Sequence, residues 1–166
     1  LIIDIYNKAK EKGLKFLDAP VSGGDIGAKN ATLSIMVGGK EEDFNACKDI
    51  FEALGTTVIY EGKSGSGQHT KMANQIAIAG IMVGISEAIT YGKEVRLDIE
   101  TMLKSISNGS ASSFHMTNTA PKMNQRDFEA GFYIKHMVKD LKIANEEVPT
   151  LKVLKDVLEM YETLEK

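Results

Sequence analysis

Apolar residues recur at helical spacing over the first dozen positions. Ile2, Ile5, Tyr6 and Ala9 form one stripe with charges between them, and Gly13 is a natural stop. Leu14-Lys15-Phe16-Leu17-Asp18 reads as a short strand closing at Pro20, and Thr32-Leu33-Ser34-Ile35-Met36-Val37 as a second strand bounded by Gly38-Gly39. Residues 41–54 put Phe44, Cys47, Ile50, Phe51 and Leu54 on one helical face. Gly55 ends that helix, and residues 56–60 predict a third strand. Such alternation of helix and strand is the pattern of an α/β layer.

After Gly67 the pattern changes. Residues 68–95 contain no proline and no turn cluster, so they predict one helix, roughly 42 Å long at 1.5 Å per residue. Ala73, Ala77, Ala79, Gly80, Gly84, Ser86 and Ala88 crowd its middle, and small residues let another backbone approach closely. The helix is therefore expected to be the buried axis of a helical lobe. Further helices are predicted at 98–107, 134–147 and 150–165, with a polar, irregular stretch between Asn108 and Gly131. The boundary between the α/β part and the all-α part falls near residues 61–67.

Composition narrows the class. An apolar share of 43% and a charged share of 26% are ordinary for a globular domain, and the net charge of −3 is spread along the chain. No basic face of the kind that binds nucleic acid is visible. The one cysteine, Cys47, allows no internal disulfide and fits a reducing, cytoplasmic setting. The most apolar stretch, 77–89, is broken by Gly80, Gly84, Ser86 and Glu87, so no bilayer-spanning segment is expected. Leu1-Ile2-Ile3-Asp4 lacks a starting Met and reads as the interior of a longer polypeptide.

Two clusters can carry chemistry. Asp18-Ala19-Pro20-Val21-Ser22-Gly23-Gly24 lies at a strand end, where open α/β sheets place ligands. Its paired glycines and Ser22 can form an anion-binding concavity, or serve only as a turn that needs positive φ. The second cluster is Gly65-Ser66-Gly67-Gln68-His69-Thr70-Lys71-Met72-Ala73-Asn74-Gln75. Lys71 and Asn74 are one helical turn apart and share a face, with Gln75 beside them. A lysine near the positive end of a helix, facing a cleft, has its ammonium form disfavoured, which suits proton transfer. The other reading is a solvated surface lysine. His69, His115 and His136 have no acidic or cysteine companions at metal-ligand spacing, so no metal is expected.

Taken in order, Asp18-Ala19-Pro20-Val21-Ser22-Gly23-Gly24, Met36-Val37-Gly38-Gly39, the glycine-led Lys71 helix and Lys139-Asp140-Leu141 resemble the β-hydroxyacid dehydrogenase family over essentially the whole chain. That family includes 3-hydroxyisobutyrate dehydrogenases and tartronate semialdehyde (2-hydroxy-3-oxopropionate) reductases. The resemblance implies the end of a Rossmann-type α/β domain over residues 1–64. A long interdomain helix and an all-α C-terminal domain for catalysis and oligomerisation would then follow over 65–166. It implies Lys71 as general acid and base, and Ser22, Gly23 and Gly24 as holders of the substrate carboxylate. Asn74 and Gln75 would bind substrate oxygens, Phe132 would wall the cleft, and Lys139, supported by Asp140, would lie near the nicotinamide of NAD or NADP. The partners implied are a small hydroxy acid or its semialdehyde and further copies in a homodimer or homotetramer, with neither nucleic acid nor membrane.

The chain departs from that family in two places. No Gly-x-Gly-x-x-Gly follows a strand, so the dinucleotide fingerprint would precede Leu1, and these residues alone are expected to bind cofactor weakly. The connection at Glu146-Glu147-Val148-Pro149 is also short, with Pro149 suited to the start of the last helix. Three rival readings remain: a non-catalytic relative used for dimerisation or metabolite binding, a 6-phosphogluconate dehydrogenase, for which the helical part is too short, and a helical interaction module with no small-molecule site.

Overall fold

The computed structural model describes residues 1–129 and 131–165, which form two compact units, Leu1–Asn74 and Gln75–Lys166. In the first, α1 (Ile2–Glu11) stops where Gly13 takes a φ of 69°. Its amide bonds to Lys10 while Leu14 bonds to Ala9, which satisfies the last carbonyls. Three strands follow: β1 (Val21–Ser22), β2 (Leu33–Gly38) and β3 (Gly55–Gly62). The helices α2 (Gly24–Lys29) and α3 (Glu41–Glu52) separate them. The sheet order is β1-β2-β3, with β1 antiparallel and β3 parallel to the central β2.

The first ladder begins later than the sequence pattern predicts. Residues 14–17 are irregular, Asp18 makes an isolated bridge to Gly38, and pairing resumes at Val21 and Ser22. Apolar content marked this stretch as extended, but its partner lies in β2, beyond the reach of any local pattern. β2 is almost wholly buried, as a central strand must be, and Leu33, Ile35 and Val37 form a core with Phe44 of α3. Phe44 stacks on Tyr60 at 5.4 Å between ring centroids. The apolar face of α3 is narrower than predicted, since Ile50 and Leu54 stay exposed.

Helix α4 (Ser66–Glu94) begins in the first unit and ends in the second. The compact units thus divide inside a continuous helix. By length and composition α4 is able to cross a bilayer, which corrects the expectation drawn from its interruptions: isolated glycines do not break a helix. A core helix passes the same test, and Ala79, Ile85 and Ile89 are core residues. Close packing explains fewer of its small residues than expected. A side chain at Gly92 would meet Ile99 and Met102 at 2.8 Å, whereas Gly80 and Gly84 face open space and Ala73 and Ala77 are exposed.

The second unit continues with α5 (Ile99–Ile106), α6 (Phe114–Asn118), α7 (Ala120–Gln125), α8 (Ile134–Glu147) and α9 (Lys152–Glu165). Two of these, α6 and α7, fall in the stretch expected to be irregular. They are short, and Met116 and Ala120 tie them to a core with Ile85, Ile89, Ile99 and Leu103. α8 and α9 are joined by four residues and share a second apolar layer of Val138, Leu141, Leu154, Val157 and Leu158. Pro149 lies in that turn and does not open α9.

Candidate active site

In the first unit, Ser22 is half-buried on β1 opposite Ser34. Gly23 and Gly24 follow with φ of 128° and 63°, backbone that side chains rarely adopt. An added side chain at Gly24 would meet only open space, so conformation rather than crowding requires glycine there. Both glycines are exposed where α2 begins, beside the ion pair of Asp25 with Lys29 at 3.5 Å.

Lys71 and Asn74 lie early in α4, one turn apart and both half-buried. His69 is exposed, and the hydroxyl of Thr70 donates to Glu61 at 3.0 Å. The start of this helix is held from a distance. The amide of Gly65 donates to Asp18 Oδ1 at 2.7 Å and that of Gln68 to Asp18 Oδ2 at 3.1 Å. Asp18 is only 3% exposed. Sequence reasoning saw Asp18 only as the first letter of a motif. The signal was an acid ahead of a helix whose opening residues are glycine and serine, but a partner about fifty positions away follows no spacing rule.

The second unit holds the other predicted residues. Gln75, 2% exposed, donates through Nε2 to Asp140 Oδ2 at 2.8 Å. The other oxygen of Asp140 pairs with Lys139 Nζ at 2.8 Å, and Lys139 is exposed. A buried amide and a buried carboxyl thus hold one ammonium group at the surface, each polar group answered by another. Phe132 is exposed, its ring edge-on to His136 at 6.1 Å. A cavity of about 290 Å³ lies between Ile76 and Gly80 of α4 and residues 150–154 and 157, and none of the predicted site residues lines it. Among the described residues no three His, Cys, Asp or Glu side chains gather as metal ligands.

Comparison with known proteins divides the chain ahead of α4, between residues 62 and 65. Residues 65–166 match the family model described as NAD-binding of NADP-dependent 3-hydroxyisobutyrate dehydrogenase, and residues 2–62 that of the NAD binding domain of 6-phosphogluconate dehydrogenase. An uncharacterised oxidoreductase of Bacillus subtilis is 57% identical over 143 residues, covering 86% of this chain and 50% of that protein. The 2-hydroxy-3-oxopropionate reductase of Escherichia coli is 41% identical over 137 residues, covering 82% and 47%. In structure the chain is similar to Mycobacterium tuberculosis 3-hydroxyisobutyrate dehydrogenase solved with L-serine, at a TM-score of 0.90 and 27% identity, over 98% of this chain and 60% of that one. The chain spans about half the length of the curated relatives it matches.

Proposed function

This chain belongs to the β-hydroxyacid dehydrogenase family, and we propose that the protein carrying it interconverts a small β-hydroxy acid and its semialdehyde with Lys71 as general acid and base. The observation that carries this reading is the pairing of Lys71 and Asn74 on one face of α4, in a helix whose start is fastened to the segment that leads to Ser22, Gly23 and Gly24.

In this reading Ser22 and the amides of Gly23 and Gly24 hold the substrate carboxylate. Asn74 binds an oxygen at the reacting end. Lys71 gives a proton to the oxygen of the aldehyde during reduction and takes the hydroxyl proton during oxidation. Gln75, expected beside Asn74 as a substrate ligand, commits its amide nitrogen to Asp140, which favours a part in holding Lys139. Lys139 is an exposed cation whose ammonium is held by Asp140, and such a donor fits the edge of a nicotinamide cofactor. When bound, NAD or NADP supplies the hydride chemistry. The glycine fingerprint that would grip its phosphates is not among these residues. Phe132 is available as an apolar wall. The protein assembles as a homodimer or homotetramer, to which the exposed Val153 and Leu164 of α9 contribute.

The test is hydride transfer by the complete protein, followed by nicotinamide absorbance with tartronate semialdehyde, succinic semialdehyde and 3-hydroxyisobutyrate, using NAD and NADP. Lys71→Ala is expected to lose about 10²–10⁴-fold in turnover with its melting temperature unchanged. Turnover that survives the substitution removes Lys71 from the reaction. No turnover with any pair would favour a metabolite-binding relative.

A further inference from the structure

We infer that Asp18 is a positioning residue, which sets the distance between the carboxylate-holding turn at Ser22-Gly23-Gly24 and the acid–base residue Lys71. The inference rests on the reading of those residues just given.

One side of the link is rigid. Asp18 exchanges backbone hydrogen bonds with Gly38 at 2.9 and 2.8 Å, and Met36 donates to Pro20 at 3.0 Å. A single antiparallel register runs from Asp18 opposite Gly38 through Val21 opposite Ile35 to Ser22 opposite Ser34. Ser22 therefore stands at a fixed span from Asp18, roughly 13 Å along an extended chain. The other side is shorter still. The amide of Gln68, bonded to the carboxyl of Asp18, is one helical turn before Lys71.

The carboxyl reaches the helix because two glycines make room for it. A side chain at Gly38 would begin 2.7 Å from both oxygens of Asp18. One at Gly67 would collide with the carbonyl of Met36 and lie 2.9 Å from Asp18 Oδ2. These are the glycines of the Met36-Val37-Gly38-Gly39 and Gly65-Ser66-Gly67 motifs, and their role is to admit a buried carboxyl rather than a ligand. Stability alone would not demand this arrangement, since a helix start is commonly capped by its own neighbouring Ser, Thr, Asp or Asn. A cap drawn from 47 and 50 positions away also fixes where the helix begins relative to β2.

The experiment measures turnover of succinic semialdehyde and of butanal by the complete protein, two aldehydes of the same chain length with and without a carboxylate. Only the first is anchored at Ser22-Gly23-Gly24, so only it depends on the distance from that turn to Lys71. Asp18→Asn keeps the shape but exchanges one acceptor for a donor, and Asp18→Ser is smaller and keeps one acceptor. In both, kcat/KM for succinic semialdehyde relative to butanal is expected to fall about tenfold or more, per folded molecule and well below the melting temperature. Equal losses on both substrates, or lower melting temperatures with unchanged rates, would make Asp18 a structural cap and overturn the inference. Failure of both variants to fold would do the same. Lys71→Ala is measured in parallel. Turnover that survives it removes the underlying reading, and the inference with it, whatever the Asp18 variants do.

Discussion

His115 shows how burial alone tunes a single side chain. Its ring lies edge-on to Phe114, its Nδ1 is 3.0 Å from the hydroxyl of Thr119, and burial lowers its pKa from the ordinary 6.5. The unfolded chain takes up that proton more readily than the folded one. Stability is thus fully present above pH 6.5 and is lost as pH falls toward and through the folded-state value. Melting temperatures recorded from about pH 7.5 to pH 5 should fall, and the fall should be shallower in His115→Gln. A slope unchanged by the substitution would move the effect to other groups. Asp98 belongs to the same scale: as the N-cap of α5 it accepts from the Thr101 amide at 2.8 Å, and the side chain of Thr101 together with that amide holds its carboxyl below the usual range.

Among the elements, those with a broad apolar stripe were legible. α1, α3, α5, α8 and α9 fall within a few residues of where periodicity predicts them, as do β2 and β3. What escaped depends on partners distant in sequence. β1 extends over only two residues because its continuous pairing with β2 begins there, and earlier the two segments meet only at the isolated bridge of Asp18 with Gly38. α6 and α7 have too few apolar positions to show a period, and are held by Met116 and Ala120 against helices from elsewhere in the chain. Within the candidate site the residue types and their order were legible in the sequence. The chain from Gln75 to Asp140 to Lys139 was not, since it joins positions 65 apart. α8 offers a direct test of element packing. Leu141, beside Asp140, is fully buried, and Leu141→Ala should lower unfolding free energy by about 3 kcal/mol in denaturant titrations. A loss well under 1 kcal/mol would mean that this layer is looser than its burial implies.

At the scale of the whole molecule, much apolar surface remains uncovered by the chain itself. In the second unit Tyr91, Phe114, Phe128, Val153 and Leu164 are each at least 66% exposed, apolar surface that the proposed homodimer or homotetramer would use. Sedimentation or light scattering on the complete protein should therefore report an oligomer, and Val153→Glu with Leu164→Glu should shift it toward smaller species. A monomer at micromolar concentration would leave that surface to another partner. The carboxyl of Asp18, seated between Gly38 and Gly67, bears on how such a sequence can drift. A side chain gained at either glycine would evict the carboxyl, and a carboxyl lost from Asp18 would leave the amides of Gly65 and Gln68 without this acceptor. No single step leads away from the trio without passing through a damaged intermediate. Natural variants are expected to keep all three residues or to replace them together, whereas neighbouring surface positions drift freely.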